Sequence, residues 1–274
     1  MKKLLVPTDF SNQAENALKV AAQIAKKHDC EIYLLHMLEI PLQEVDPMGA
    51  QSSLPEAMFF MKLAHKKFET LKQKDYLNDL VVHETVDFQE IFKGIFHVCK
   101  KHEIDLIVMG SNGASGLREM LIGSNTEKVV RTSDTPVLVV KQEHPIFNIA
   151  QFVFASDFEN ENIDTFKKAI TFAKTFGAKM HLLLVNTPNM FITTEEANKR
   201  FKPYTNILDS VNHTKTIYND LSVEKGIMNF SESIGADLIG MSTHGRQGIS
   251  HFFNGSISED LVNHAKRPVI TFKI

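Results

Sequence analysis

Two glycine-rich stretches in this chain carry the residue types and spacing to hold a phosphate. The first reads Gly110-Ser111-Asn112-Gly113, nine residues, then Gly123-Ser124, and follows the apolar run Leu106-Ile107-Val108-Met109. A glycine turn that leaves a strand and feeds a helix N-terminus lets backbone approach phosphate closely and points N–H groups at it. The second stretch follows Leu238-Ile239-Gly240-Met241 and reads Ser242-Thr243-His244-Gly245, nine residues, then Gly255-Ser256. Its first glycine is a serine, which narrows the approach to phosphate and disfavours positive φ if that conformation is needed. The first stretch therefore reads as a nucleotide loop and the second as a weakened one. Each glycine also has a plainer use in turning the chain, and Ser124 and Ser256 could be ordinary helix caps.

These loops belong to a repeat that runs through the whole chain. Asp9 in Pro7-Thr8-Asp9-Phe10 matches Asp157 in Ala155-Ser156-Asp157-Phe158, an offset of 157 − 9 = 148, and His36 matches Leu184 at the same offset. From Asp105 to Asp237 the offset is 237 − 105 = 132, and it holds through Gly123 to Gly255 and Pro136 to Pro268. The difference falls on Ile40 to Leu54, whose Pro41, Pro47, Gly49, Ser52 and Ser53 predict an extended surface loop. Two domains are expected, residues 1–145 and 146–274, joining near His144-Pro145.

Each half alternates apolar runs with helical periodicity, the pattern of β-α-β units in a parallel sheet with helices on both faces. Strands are predicted at Lys3 to Val6, Glu31 to Met37, Leu80 to Val86, Leu106 to Met109 and Val137 to Lys141, then at Phe152 to Ala155, Met180 to Val185, Lys215 to Tyr218, Leu238 to Met241 and Val269 to Ile274. Ala14, Ala17, Leu18, Ala21 and Ala25 form one buried helical stripe, with Ser11 as its N-cap. Similar stripes run from Leu54 to Leu71, from Ile91 to Val98 and, after Ser222 as cap, from Val223 to Ile234. The last helix of the first half starts at Gly123-Ser124 and reaches about Thr132. Between Thr193 and His213 the spacing is helical, but Pro203 would kink or start a helix there. Asp9, Met37 and Gly110 fall at carboxyl ends of strands, where open α/β sheets bind ligands.

Composition narrows the function. A net charge of −3, from 30 basic and 33 acidic side chains without long blocks, lacks the footprint of a nucleic-acid binder. The apolar start Leu4-Leu5-Val6 is too short for a signal peptide, and no run suits a bilayer span, so a cytoplasmic protein is expected. Cys30 and Cys99 have no C-x-x-C spacing and read as small core residues. The histidines show no H-E-x-x-H, no Walker loop or nucleophile elbow occurs, and His36 reads as a satisfied core histidine. Dedicated catalysis finds no support. Asp9 is open between a ligand contact and a share in capping the first helix.

Taken together, these residues resemble the universal stress protein family in its tandem form. The resemblance rests on Val6-Pro7-Thr8-Asp9-Phe10-Ser11, Leu34-Leu35-His36-Met37, Asp105-Leu106-Ile107-Val108-Met109-Gly110, Gly113, Gly123-Ser124 and Thr135-Pro136-Val137-Leu138-Val139-Val140. It implies two tandem Rossmann-like domains of the adenine nucleotide alpha hydrolase type, each a five-stranded parallel sheet flanked by helices. In one branch of the family it further implies bound ATP, with magnesium left open. By that resemblance Pro7, Thr8, Asp9 and Met37 face the adenosine end, Met109, Gly110 and Gly113 the ribose and α-phosphate, and Gly123, Ser124, Asn125 and Thr126 the outer phosphates. The matching positions in the second half are Asp157, Val185, Gly245, Arg246, Gly255 and Ser256. Family members often carry Arg after the second glycine, where this chain has Ala114. The resemblance also implies pairing through the last strands, here Thr135 to Val140 with Arg267 to Phe272 inside one chain, and a homodimer through other surfaces. A stress-response regulator that binds adenine nucleotide is the expectation. A structural or interaction protein of the same fold, acting through partners or an apolar ligand, is the alternative, prompted by Ala114, Ser242 and Phe252-Phe253.

Overall fold

The computed structural model describes residues 1–38, 53–111, 123–159, 163–208, 211–243 and 261–274. The loop expected at Ile40 to Leu54 and the positions Gly113, Ala114, Gly245, Arg246, Phe252, Phe253, Gly255 and Ser256 lie wholly or largely outside them.

In the first half the elements are β1 (Lys3–Pro7), α1 (Asn12–His28), β2 (Glu31–Met37), α2 (Ser53–Lys72), β3 (Val82–Asp87), α3 (Ile91–His102), β4 (Leu106–Gly110), α4 (Ser124–Thr132) and β5 (Val137–Val140). In the second they are β6 (Gln151–Ala155), α5 (Ile163–Phe176), β7 (Lys179–Asn186), α6 (Thr194–Thr205), β8 (His213–Asn219), α7 (Val223–Ser233), β9 (Leu238–Thr243) and β10 (Val269–Lys273). The ten strands form one sheet in the order β3-β2-β1-β4-β5-β10-β9-β6-β7-β8. Every neighbouring pair is parallel except β5 with β10, where Val139 faces Val269 and Val137 faces Thr271. The intrachain seam expected between the last strands is present.

Both faces of the sheet are covered, so the inner strands β4, β5, β9 and β10 are largely apolar runs, while the edge strands β3 and β8 are polar and partly exposed. Leu4, Val6, Leu34 and Val108 point into one core with α1, α2, α5 and α6, while Leu5, Leu35, Ile107 and Met109 point into the other with α3, α4 and α7. The helices start where their caps dictate: Ser11 Oγ accepts from Ala14 N, and Ser222 Oγ from Lys225 N. Cys30 and Cys99 are buried and free of any disulfide, as expected of core residues.

One helix differs from expectation. Pro203 neither starts nor breaks α6, which begins at the Thr193 cap and carries Pro203 in its last turn. Burial of Ala197, Phe201 and Tyr204 along one face holds the helix to its end, although Pro203 has no N–H to donate to the carbonyl four residues before it. The connection between halves is docked on α1: Gln23 Nε2 donates to the His144 carbonyl (2.8 Å), and Phe147 N donates to Gln23 Oε1 (2.6 Å).

Candidate functional site

The strand order reverses between β1 and β4, and the carboxyl ends of these two strands open a cleft of about 200 Å³. Pro7, Thr8, Asp9, Met37, Met109, Gly110, Gly123, Ser124, Asn125 and Thr126 all line it. Four separate segments of sequence thus converge on one cavity. Gly113, the remaining expected member from the first half, lies outside the described residues.

The wall formed by residues 8–11 is a tightly bonded turn. Thr8 N donates to the Leu35 carbonyl (2.8 Å), Phe10 N donates to Thr8 Oγ1 (3.0 Å) and Ser11 N to Asp9 Oδ1 (3.0 Å). These bonds hold Phe10 at φ 64°, a left-handed conformation costly for an aromatic residue. Its ring lies 4.5 Å from His36 and 5.2 Å from Phe68, which offsets part of that cost. Asp9 therefore shapes the turn, and Ser11 provides a side-chain cap of α1.

His36 both satisfies itself and lines the cavity. Its Nδ1 donates to the Thr8 carbonyl (2.7 Å), and burial holds its pKa below the ordinary imidazole value. Ala14, Leu35, Ile91 and Ile95 complete the apolar wall. Ala14, Leu35 and Ile95 are buried, and they form the floor of the cleft where the strand order reverses.

The opposite wall is the head of α4. Gly123 N donates to the Ser111 carbonyl (2.8 Å), and Thr126 Oγ1 donates to the Gly110 carbonyl (3.0 Å), so neither group is spare for a ligand. The first intrahelical bond is Glu127 N to the Gly123 carbonyl (3.0 Å). The N–H groups of Ser124, Asn125 and Thr126 consequently have no acceptor within the helix, and they sit at its positive end. No Lys or Arg occurs among the described lining residues, which leaves backbone amides as the feature that suits an anion.

Glycine is required at position 110 for space. Gly110 is not among the described residues with positive φ, but a Cβ there would stand 2.8 Å from the carbonyl oxygen of Gln13 in the first turn of α1. Gly123, at φ −63° and ψ 141°, is also in a conformation open to any residue. A further glycine escaped sequence reading: a Cβ on Gly94 of α3 would meet Met37 Cε at 2.3 Å. Its repeat partner is Gly226 of α7, at 226 − 94 = 132, where a Cβ would meet Val185 Cγ1 at 2.5 Å.

The second half keeps the turn but roofs it. Ser156 N donates to the Leu183 carbonyl (3.1 Å), Glu159 N to Asp157 Oδ1 (3.2 Å), and Phe158 has φ 56°, each matching its partner in the first half. Here Phe201 and Tyr204 of α6 pack on Phe158 at 4.6 and 5.1 Å, and Arg200 pairs with Glu159 at 3.0 Å. Asp157 and Val185 are only 1% and 2% exposed, Val185 packing in the α7 core on the other face, whereas Asp9 is exposed and Met37 half-buried. Ser242, in the place of Gly110, is fully buried, and its hydroxyl has no hydrogen-bond partner among the described residues. Among the described residues there is no group of three or more His, Cys, Asp or Glu able to hold a metal, and no helix is long and apolar enough to cross a membrane.

Comparison with known proteins gives one consistent family. The universal stress protein family model matches residues 1–141 and again 150–273. Universal stress protein MJ0577 of Methanocaldococcus jannaschii is 33% identical, covering 52% of this chain and 96% of its own length. Universal stress protein Slr1230 of Synechocystis is 24% identical and aligns over 100% of both chains. A crystal structure of a universal stress protein from Archaeoglobus fulgidus shares the fold with a TM-score of 0.70 at 22% identity, covering 99% of this chain and 98% of that one.

Proposed function

The chain belongs to the universal stress protein family, and from that premise we propose that it is a stress-response regulator that binds ATP in the cleft of its first half. The observation that carries this is that Ser124, Asn125 and Thr126, whose N–H groups have no acceptor within the helix, line a cavity whose far wall is apolar. A triphosphate suits the amides, and a purine suits Ile91, Ile95, Met37 and Pro7.

The site residues take these roles. Asp9 and the Met37 backbone face the adenosine, Met109, Gly110 and Gly113 the ribose and α-phosphate, and Ser124, Asn125 and Thr126 the outer phosphates, with Gly123 positioning the amides through Ser111. Asp9 and His36 are the titratable residues on the described lining, and both are engaged in holding the turn, which supports occupancy as the signal over rapid turnover. Any magnesium would arrive with the phosphates. The buried Asp157 and Val185 support a single nucleotide per chain. With β5 and β10 already paired, a homodimer would use other surfaces, and a cytoplasmic setting supplies the ATP.

Equilibrium titration of ATP into the parent protein and Gly123→Val tests this. The parent is expected to bind at cellular ATP levels and the variant far more weakly. Absence of binding by the parent, or equal binding by both, removes the proposal.

One observation favours the alternative of an interaction protein. Met58, Phe59 and Leu63 on α2 are 52%, 63% and 41% exposed, while α6 at the matching place presents Glu195 and Lys199 outward. Native mass spectrometry of protein purified from cells separates the two, since co-purified adenine nucleotide supports the first and a retained partner protein without nucleotide the second.

A further inference from the structure

Lys141 and Lys273 are repeat partners, at 273 − 141 = 132, and each crosses the β5–β10 seam into the other half. Lys273 Nζ donates to the Thr132 carbonyl (3.3 Å), at the C-terminus of α4, and pairs with Asp134 Oδ1 (2.9 Å). Lys141 Nζ donates to the carbonyl of Asn263, within the helical residues 261–264 of the second half. Each half thus sends its terminal lysine to the C-terminal carbonyls of the helix that follows the other half's glycine loop. Nothing in the pairing of the two strands requires this, since their backbone bonds already close the seam.

We propose that Lys273 couples the two halves, so that an anion at the head of α4 and the last strand of the second half stabilise one another. This rests on the ATP site proposed above. The physical link is continuous. α4 is a nine-residue helix, Thr126 ties its head to the Gly110 carbonyl, and Val129 and Val130 are buried along its length, so it moves as a unit. An anion at its N-terminus and a cation at its C-terminus complement opposite ends of one dipole. At the far end the Lys273 carbonyl accepts from Thr165 Oγ1 of α5 (3.0 Å), and Lys168 of the same helix donates to the Asp134 carbonyl (3.4 Å). Occupancy of the first cleft therefore reaches α5 and β10 through one rigid helix and two lysines, and linkage makes the effect reciprocal.

The two latches are unequal. Lys273 pairs with the Asp134 carboxylate, whereas the position matching Asp134 in the second half is Lys266, at 134 + 132 = 266, so the sequence offers Lys141 no carboxylate at that place. The stronger latch belongs to the half that keeps its open cleft.

Hydrogen exchange and ATP titration on the full chain test the coupling, using Lys273→Met, Lys273→Arg and Asp134→Asn. Without ligand, the amides of α4 should exchange faster in Lys273→Met than in the parent. With ATP, the parent should gain protection in β10, and Lys273→Met should lose that gain and bind roughly three- to tenfold more weakly. Lys273→Arg should recover most of the affinity. Asp134→Asn, whose side chain is 89% exposed and so leaves the fold intact, should shift affinity in the same direction by less. If the parent binds ATP but Lys273→Met and Asp134→Asn match it in affinity and β10 protection, the coupling is wrong and the ATP site stands. If the parent binds no ATP, the site falls, and unchanged α4 exchange in Lys273→Met then removes the latch as well.

Discussion

The carbonyl oxygen of Gln13 lies 2.8 Å from the point where a Cβ on Gly110 would stand, so the head of α1 fixes which residue can end β4. A backbone atom of a helix cannot give way as a flexible side chain can.

Gly110→Ala is accordingly expected to destabilise the protein by roughly 1–3 kcal/mol and to weaken ATP binding, because α1 must shift away from the cleft. Urea unfolding combined with ATP titration checks this. An alanine variant that matches the parent in both would show that the approach of Gln13 is not tight.

Gly94 and Gly226 give a contrast between halves. Gly94→Ala meets the flexible end of Met37, which can swing, so the fold should persist while the cleft is reshaped. Gly226→Ala meets the branched, buried Val185 and should cost more stability, roughly 1–3 kcal/mol. Thermal unfolding of the two variants side by side decides it, and a larger loss for Gly94→Ala would contradict the packing described.

Much of this arrangement was legible in the sequence because it depends on local patterns. The apolar runs that end at Pro7, Met37 and Gly110 are strands buried on both faces, and the Ser11 and Ser222 caps act within three residues of themselves. What was not legible depends on contacts distant in sequence. The need for glycine at 110 comes from Gln13, almost a hundred residues earlier, and looks like a demand for positive φ until that neighbour is seen. The closing of the second turn by Arg200 and Tyr204 leaves no mark at Asp157 itself. Pro203 misled because tertiary burial of Phe201 and Tyr204 outweighs a local preference.

Stability should fall on mild acidification. Burial holds His28, His36, His102, His144 and His181 below the ordinary value of 6.5, and the buried Nε2 atoms of His28 and His144 have no hydrogen-bond partner among the described residues. The unfolded chain then binds protons more readily than the folded one, so stability is full above about pH 6.5 and declines as pH falls through the lower folded values. Urea unfolding at about pH 8 and about pH 5.5 tests the sign, and equal stability at both would refute it.

Lys141 should lose its proton at lower pH than an ordinary lysine. Burial lowers its pKa to about 8, so its nucleophilic neutral form is half populated near that pH. Competitive acetylation followed by peptide mass spectrometry across pH should place its midpoint there. A midpoint near the ordinary lysine value would show that burial does not desolvate the Lys141 ammonium.

A crystal structure grown with ATP tests the central claim most directly. The expected result is one nucleotide per chain, its phosphates bonded to the N–H groups of Ser124 and Asn125, its purine against Met37 and Ile95, and none beside Asp157. An empty first cleft at saturating ATP, or nucleotide bound in the second half alone, would contradict the account.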